Sequence, residues 1–162
     1  MIVLPTPLIE KKVNVVRLRP ANDDDIGIYF QVRNDPEVWP GFYTQRATLD
    51  WKEHVKWWYS RNSDWRKFII ENNSIPIGIL NIGQLDHWSP EVGYAIYPQY
   101  WGKGYGREAV RLSLEFMKSK GKQYCHTTVL KNNERSLRLL KSLGFIEAMD
   151  AREGEVWLTK SL

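Results

Sequence analysis

Between Tyr97 and Val110 the chain reads YPQYWGKGYGREAV, with glycines at 102, 104 and 106 after a strand pattern and at the start of a helix pattern. Glycine takes positive φ at no steric cost and lets another molecule approach the backbone closely. A helix that begins there leaves its first N–H groups unpaired and aimed outward, which attracts anions. Lys103 and Arg107 add positive charge. The segment therefore predicts strand, glycine turn and helix in succession, with a pyrophosphate-like group at the turn. Its spacing is GxGxG, not the GxGxxG of the dinucleotide-binding fingerprint, which also belongs to a first strand and expects an acid about 20 residues on. No GK[ST] closes the run, so it is not a P-loop. A glycine-rich turn without a ligand is the plain structural alternative.

The rest of the chain supplies the elements around that turn. Val13 to Arg19 is rich in β-branched residues and predicts a first strand ending at Pro20. Asn22 and Asp23 offer N-cap oxygens to a helix carrying Ile26, Tyr29, Phe30 and Val32, which stops at Asp35-Pro36. Thr48 or Asp50 caps a second helix, in which Trp51, Val55 and Trp58 repeat at i, i+4 and i+7. Lys67 to Glu71 and Pro76 to Leu85 predict a hairpin across the turn at Asn72 to Ser74, and Glu91 to Tyr97 a further strand. The helix after Gly102 carries Val110, Leu114 and Met117 and ends at Gly121. Tyr124 to Leu130 predicts a strand, Asn133 to Leu143 a short helix, and Phe145 to Asp150 with Glu155 to Lys160 a terminal hairpin. The order β, α, α, β, β, β, α, β, α, β, β predicts an α/β (α+β) fold. Its sheet of about seven strands is mixed and mostly antiparallel, with helices on both faces and a parallel crossover from Glu91 to Leu130.

Length, charge and cysteine content narrow the classes. The 162 residues suit one domain, 1–162, and the 43% apolar and 13% aromatic shares argue against disorder. The net charge of +4 favours anionic partners, but no basic block or recognised motif points to nucleic acid. The single cysteine, Cys125, excludes an intrachain disulfide and any paired-cysteine zinc site. His54, His87 and His126 are dispersed without metal-ligand spacing, so no metal is expected. Met1 to Pro7 has no leader pattern, and no apolar run approaches 18 residues, so the expectation is a cytoplasmic protein without a membrane span.

A second tract agrees with the first. In NNERSLRLLKSLGF, from Asn132 to Phe145, an Asn is followed three places on by a small residue, then by a basic residue and a closing Gly-Phe. With GKGYG and the strand EVGYAIYP, this resembles the acetyl-CoA-binding motifs of the GNAT superfamily of acetyltransferases. The matching residues are Asn133, Ser136, Lys141, Gly144 and Phe145. The tracts RNDPEV (33–38), TLDWKEHVKWW (48–58) and YWGKGYG resemble the RimJ/RimL-like branch and its amino-sugar-acetylating relatives. The resemblance implies an acetyl-CoA-dependent N-acetyltransferase acting on a primary amine. It implies that Tyr94, Ala95 and Ile96 bind the pantetheine arm and thioester, and that Trp101, Gly102, Lys103, Gly104, Tyr105, Gly106 and Arg107 surround the pyrophosphate, with Asn133 and Ser136 beside them. Two departures stand out. Trp101 replaces a frequent Gln or Arg, and Leu140 replaces the Tyr that commonly protonates the departing thiolate.

The chemistry asks for a base, because an amine attacks a thioester only when neutral and is mostly protonated at pH 7. Glu91, at the head of the strand carrying the thioester, is the candidate base, and a solvated strand-end carboxylate is the alternative. Ser136 or water is the candidate proton donor to sulfur, against a helix-end hydrogen-bonding role. Arg33, Trp39, Phe42, Tyr43, His54 and Trp57 are the candidate acceptor site, although Trp residues on a periodic helical stripe also suit a core. The expected acceptor is a small molecule such as an amino sugar or its nucleotide conjugate. A protein N-terminal α-amine is the alternative, and a non-catalytic acyl-CoA-binding regulatory module is the alternative outside enzymes. A monomer and a homodimer both fit.

Overall fold

The computed structural model describes residues 14–60, 64–150 and 152–162. The first strand, β1 (Val16–Pro20), begins inside the expected tract; Val13, like Met1 to Pro7, lies outside the described residues. Asn22 does cap, but it caps a 3-10 turn at Asp23–Asp25, its side chain accepting the Asp24 N–H at 2.9 Å, and this turn leads into α1 (Ile26–Asn34). Asp50 caps α2 (Trp51–Tyr59) by accepting from Lys52 and Glu53. Then follow β2 (Arg66–Asn72), β3 (Ile75–Gly83), β4 (Glu91–Ile96), α3 (Tyr105–Ser119), β5 (Tyr124–Leu130), α4 (Glu134–Ser142), β6 (Ile146–Asp150) and β7 (Glu155–Ser161). The expected mixed sheet of seven strands with helices on both faces is what forms.

The strand order is β1-β2-β3-β4-β5-β7-β6, and every neighbouring pair is antiparallel except β4 and β5. Because side chains alternate across a strand, each central strand feeds two cores. Ile70, Leu80, Ile82 and Ile96 pack with Val110, Leu114 and Met117 of α3 and Leu140 of α4. Ile69, Ile79 and Ala95 pack with Tyr29, Val32 and Trp58 of α1 and α2. Tyr29 is fully buried, and its hydroxyl accepts the Phe68 N–H at 3.1 Å and meets the Asn81 side chain at 2.9 Å. At the β1 edge, Glu71 takes Arg17 at 2.6 Å and Arg19 at 2.8 Å, and Arg19 also grips Asp25 at 2.8 Å. That chain of charges ties two strands to the entrance of α1.

One irregularity positions the site. The parallel pair β4 and β5 has a single rung, Glu91 opposite His126, beside which the His126 N–H bonds the Pro90 carbonyl at 2.9 Å. From there the two strands part, leaving the inner edge of β4 from Tyr94 to Ile96 open toward α3 and α4.

Candidate active site

Two cavities meet where the sheet opens. The first, of about 560 Å³, is bounded by Tyr94 to Ile96 on β4, by the start of α3 and by the start of α4. Gly102 and Gly104 have φ of +72° and +82°, and a Cβ on either would meet nothing within 4 Å. Both backbones therefore face open space. The first helical bond of α3 runs from the Glu108 N–H to the Gly104 carbonyl at 3.1 Å, so the N–H groups from Gly104 to Arg107 have no helical partner and point to the cavity. Gly106 also serves packing: a Cβ there would lie 3.1 Å from the Leu139 side chain and 3.5 Å from the Tyr94 ring, so a larger residue would make Leu139 give way.

The second cavity, of about 510 Å³, lies below the α1–α2 layer and reaches Glu91. Gly41, Phe42, Tyr94, Asn133 and Ser136 line both cavities and form the passage between them. Tyr43 donates its hydroxyl to Glu91 Oε1 at 2.5 Å. Burial foremost, and the Glu91 carboxylate after it, hold the Tyr43 phenol far above its ordinary range, so it stays a donor to that carboxylate. His126, across the rung from Glu91, is pushed down by burial and pulled partly back by the Glu91 charge. On the passage wall, the Tyr94 hydroxyl and Ser136 Oγ stand 3.0 Å apart. Burial raises the Tyr94 phenol to about 12, which keeps its proton in place at neutral pH. Asn133 caps α4 by accepting the Ser136 N–H at 3.2 Å, which fixes the serine at the passage.

The structure gathers most of the residues singled out in the sequence. Tyr94, Ala95, Ile96, Trp101, Gly102, Gly104, Tyr105, Gly106, Arg107, Asn133 and Ser136 line the first cavity, and Arg33, Phe42, Tyr43, Trp57 and Glu91 line the second. Lys103 is exposed beside Tyr100, with Nζ 5.9 Å from that ring, and does not line the cleft. Trp39 sits in a 3-10 turn and lines neither cavity. The expectation that His54 lies in the acceptor cleft is corrected. Only 1% of His54 is exposed; its Nε2 meets the Ile26 carbonyl at 3.0 Å, and Phe30, Trp51 and Trp57 pack around the ring. It shares the inward face of α2 with buried Trp58, four residues on, whereas Trp51, expected on the core-facing stripe, is exposed.

Three features escaped the sequence. The indole of Trp101 donates to the Ile96 carbonyl at 2.8 Å, and Arg135 stacks over the same ring at 3.4 Å. A position lacking the frequent Gln or Arg thus seats a cation from α4 over the cleft. The Tyr43–Glu91 and Tyr94–Ser136 contacts join residues 48 and 42 positions apart and have no local signature. Among the described residues there is no cluster of His, Cys, Asp or Glu that could hold a metal ion, and no helix is long and apolar enough to cross a membrane.

Comparison with known proteins bears on the family and the fold. The family description "Acetyltransferase (GNAT) domain" matches residues 16–146. An uncharacterized protein of Methanocaldococcus jannaschii is 38% identical over 145 residues, covering 87% of this chain and 30% of its own length. The chain thus spans under a third of that relative. A solved domain from the same organism superposes with a TM-score of 0.87 at 34% identity, covering 92% of this chain and 99% of that one. Spermidine N-acetyltransferase of Vibrio cholerae, solved with CoA and spermine, shares the fold with a TM-score of 0.80 at 17% identity, covering 90% and 95%.

Proposed function

The chain belongs to the GNAT acetyltransferase family, and from that premise we propose that it is an acetyl-CoA-dependent N-acetyltransferase acting on a small primary amine by direct transfer. One observation carries the proposal. The cavity that ends on the glycine-opened start of α3 joins, at Tyr94 and Ser136, a cavity that holds a carboxylate. Direct transfer needs two substrates to meet at one point, with a base on one side of it and an acid on the other. Glu91 on one side of the passage and Tyr94 with Ser136 on its wall support that reading.

The residues fit the cosubstrate. Unpaired N–H groups at the start of α3, with Arg107 and the Trp101-mounted Arg135, suit a pyrophosphate. The open edge of β4 offers backbone groups to an amide-bearing arm as an extra strand would. Bound acetyl-CoA supplies the activated acyl carbon. N–H groups at that edge can bond the negative charge developing on the acyl oxygen, an effect worth roughly 3 to 4 kcal/mol per donor in other enzymes. Glu91, held by Tyr43, takes the proton that the amine must lose, directly or through water. Leu140 is fully buried against the sheet, so no acid comes from that position. The protonated Tyr94, bonded to Ser136 at the passage, is the group we assign to return a proton to the departing sulfur.

Similarity to the RimJ/RimL-like branch and its amino-sugar-acetylating relatives supports a small acceptor, as does the modest volume of the second cavity. The V. cholerae neighbour binds spermine, which is also a primary amine.

The test is titration calorimetry or thermal shift with acetyl-CoA, followed by thiol release across an amine panel. Specific binding raises the melting temperature with ligand concentration. Failure to bind at millimolar acetyl-CoA refutes the cosubstrate, and binding without thiol release from any amine favours a regulatory module.

A further inference from the structure

The second cavity is bipolar. Among the described residues, the charged side chains lining it are one carboxylate, Glu91, from the sheet, and one guanidinium, Arg33, from α1. Each end is reinforced by neighbours outside the lining. Near Glu91, the buried carboxylate of Glu155 adds its charge to the field at Tyr43. Near Arg33, Lys67 approaches the Trp57 ring at 5.5 Å and the Trp58 ring at 3.8 Å. Arg33 Cζ lies over the Trp57 ring, 4.1 Å from its centroid, which holds a guanidinium at this wall of the cavity, a group that suits carboxylate or phosphate oxygens. The rest of the lining mixes aromatic and apolar side chains, such as Phe42, Trp65 and Ile79, with uncharged polar ones, such as Thr44, Asn81 and Thr128.

A polyamine laid in this cavity with one nitrogen at Glu91 would bring its other ammonium groups toward Arg33 and Lys67, where like charges repel. An acceptor whose amine is separated from an anionic group by a compact, partly apolar body meets attraction at both ends. We infer that the acceptor is a primary amine bearing an anionic group, carboxylate or phosphate, and that Arg33 is the residue that selects it. The inference rests on the acetyltransferase function proposed above and names its substrate class.

The experiment compares matched acceptors, with thiol release as the readout. One arm pairs 4-(aminomethyl)benzoate with its amide, a second pairs glucosamine 6-phosphate with glucosamine, and spermidine is the polycationic control. In at least one arm the anionic member should be favoured by 10-fold or more in kcat/KM. The arm that shows the preference tells carboxylate from phosphate. In Arg33→Gln the preference should vanish through a raised KM, while acetyl-CoA affinity by calorimetry stays at the wild-type value. Arg33→Lys keeps the charge but loses the guanidinium fork, and should retain part of the preference. Neutral members or spermidine turning over as well as the anionic members would overturn this inference alone, and so would a preference that survives in Arg33→Gln. No thiol release with any acceptor would overturn the acetyltransferase function and this inference together.

Discussion

Gly104 and Gly121 form a matched pair, at opposite ends of α3, that separates ligand binding from folding. Both have positive φ, +82° and +77°, and at both a built Cβ meets nothing within 4 Å. An alanine at either site therefore pays for the left-handed backbone and little else, about 1 to 2 kcal/mol. At roughly 2 to 4 °C per kcal/mol for a domain of this size, each variant should melt about 2 to 8 °C lower. The two should differ in what they bind. At Gly104 the added methyl projects into the space where a pyrophosphate would close on the first N–H groups of α3, and one hydrogen bond to a charged group is worth about 1.5 to 3 kcal/mol. Gly104→Ala should thus bind acetyl-CoA about 10- to 150-fold more weakly by calorimetry. Gly121→Ala should bind as the wild type does. Gly104→Val should be worse still, since β-branching adds bulk at the same point. Equal affinity in the two alanine variants would refute the placement of the phosphates at the glycine turn.

Glu91→Gln keeps shape but cannot take the amine's proton, so turnover at pH 7 should fall by about 10² to 10⁴ with acetyl-CoA affinity unchanged. It should partly recover at alkaline pH, where more amine is neutral; wild-type turnover at pH 7 would hand the role to solvent. Tyr94→Phe should lower kcat by about 10² at constant acetyl-CoA affinity, and Ser136→Ala by less, because serine only seats the phenol. An undiminished kcat in Tyr94→Phe would assign the sulfur's proton to water. For stability against pH, His54 and His126 are depressed by burial. Hydrogen bonds from Arg19 hold Asp25 below the usual carboxylate range, and those from Arg19 and Arg17 do so for Glu71 against its burial. In each case the unfolded chain takes up the proton at a higher pH than the folded one, so stability is full above the unfolded pKa and falls with acid. Melting temperature should decline gently below about pH 6.5 and more steeply below about pH 4. A flat profile from pH 7 to 5 would contradict the buried-histidine contribution.

Local rules carried the sequence far where the cause is local. The caps at Asn22 and Asp50, the glycine stop at 121 and the short apolar runs of β2 and β3 are all settled within a few residues, and each is legible. The family resemblance added the use of the glycine turn. What stayed hidden depends on separation. Nothing near Tyr43 announces that it will meet Glu91, and nothing near Tyr94 announces Ser136; both contacts exist only once β4 and β5 part. At Trp101 residue type alone shows only a departure from the frequent Gln or Arg, whereas the geometry shows its indole supporting the Ile96 carbonyl and carrying Arg135 on its face. His54 was assigned by proximity to the acceptor helices, when its helical phase already pointed inward.

The single rung between β4 and β5 gives this sheet two extra edges in its middle. A continuous sheet protects its central amides best and frays at its rims. Here the inner borders of β4 and β5 behave as rims, while β2 and β3, paired on both sides, form the protected heart of one half, and β7 does so for the other. Amide hydrogens near Tyr94 to Ile96 that face the gap should therefore exchange with solvent quickly, although they lie at the geometric centre of the fold. A strand-like ligand in the gap would close the sheet as an eighth strand and slow that exchange.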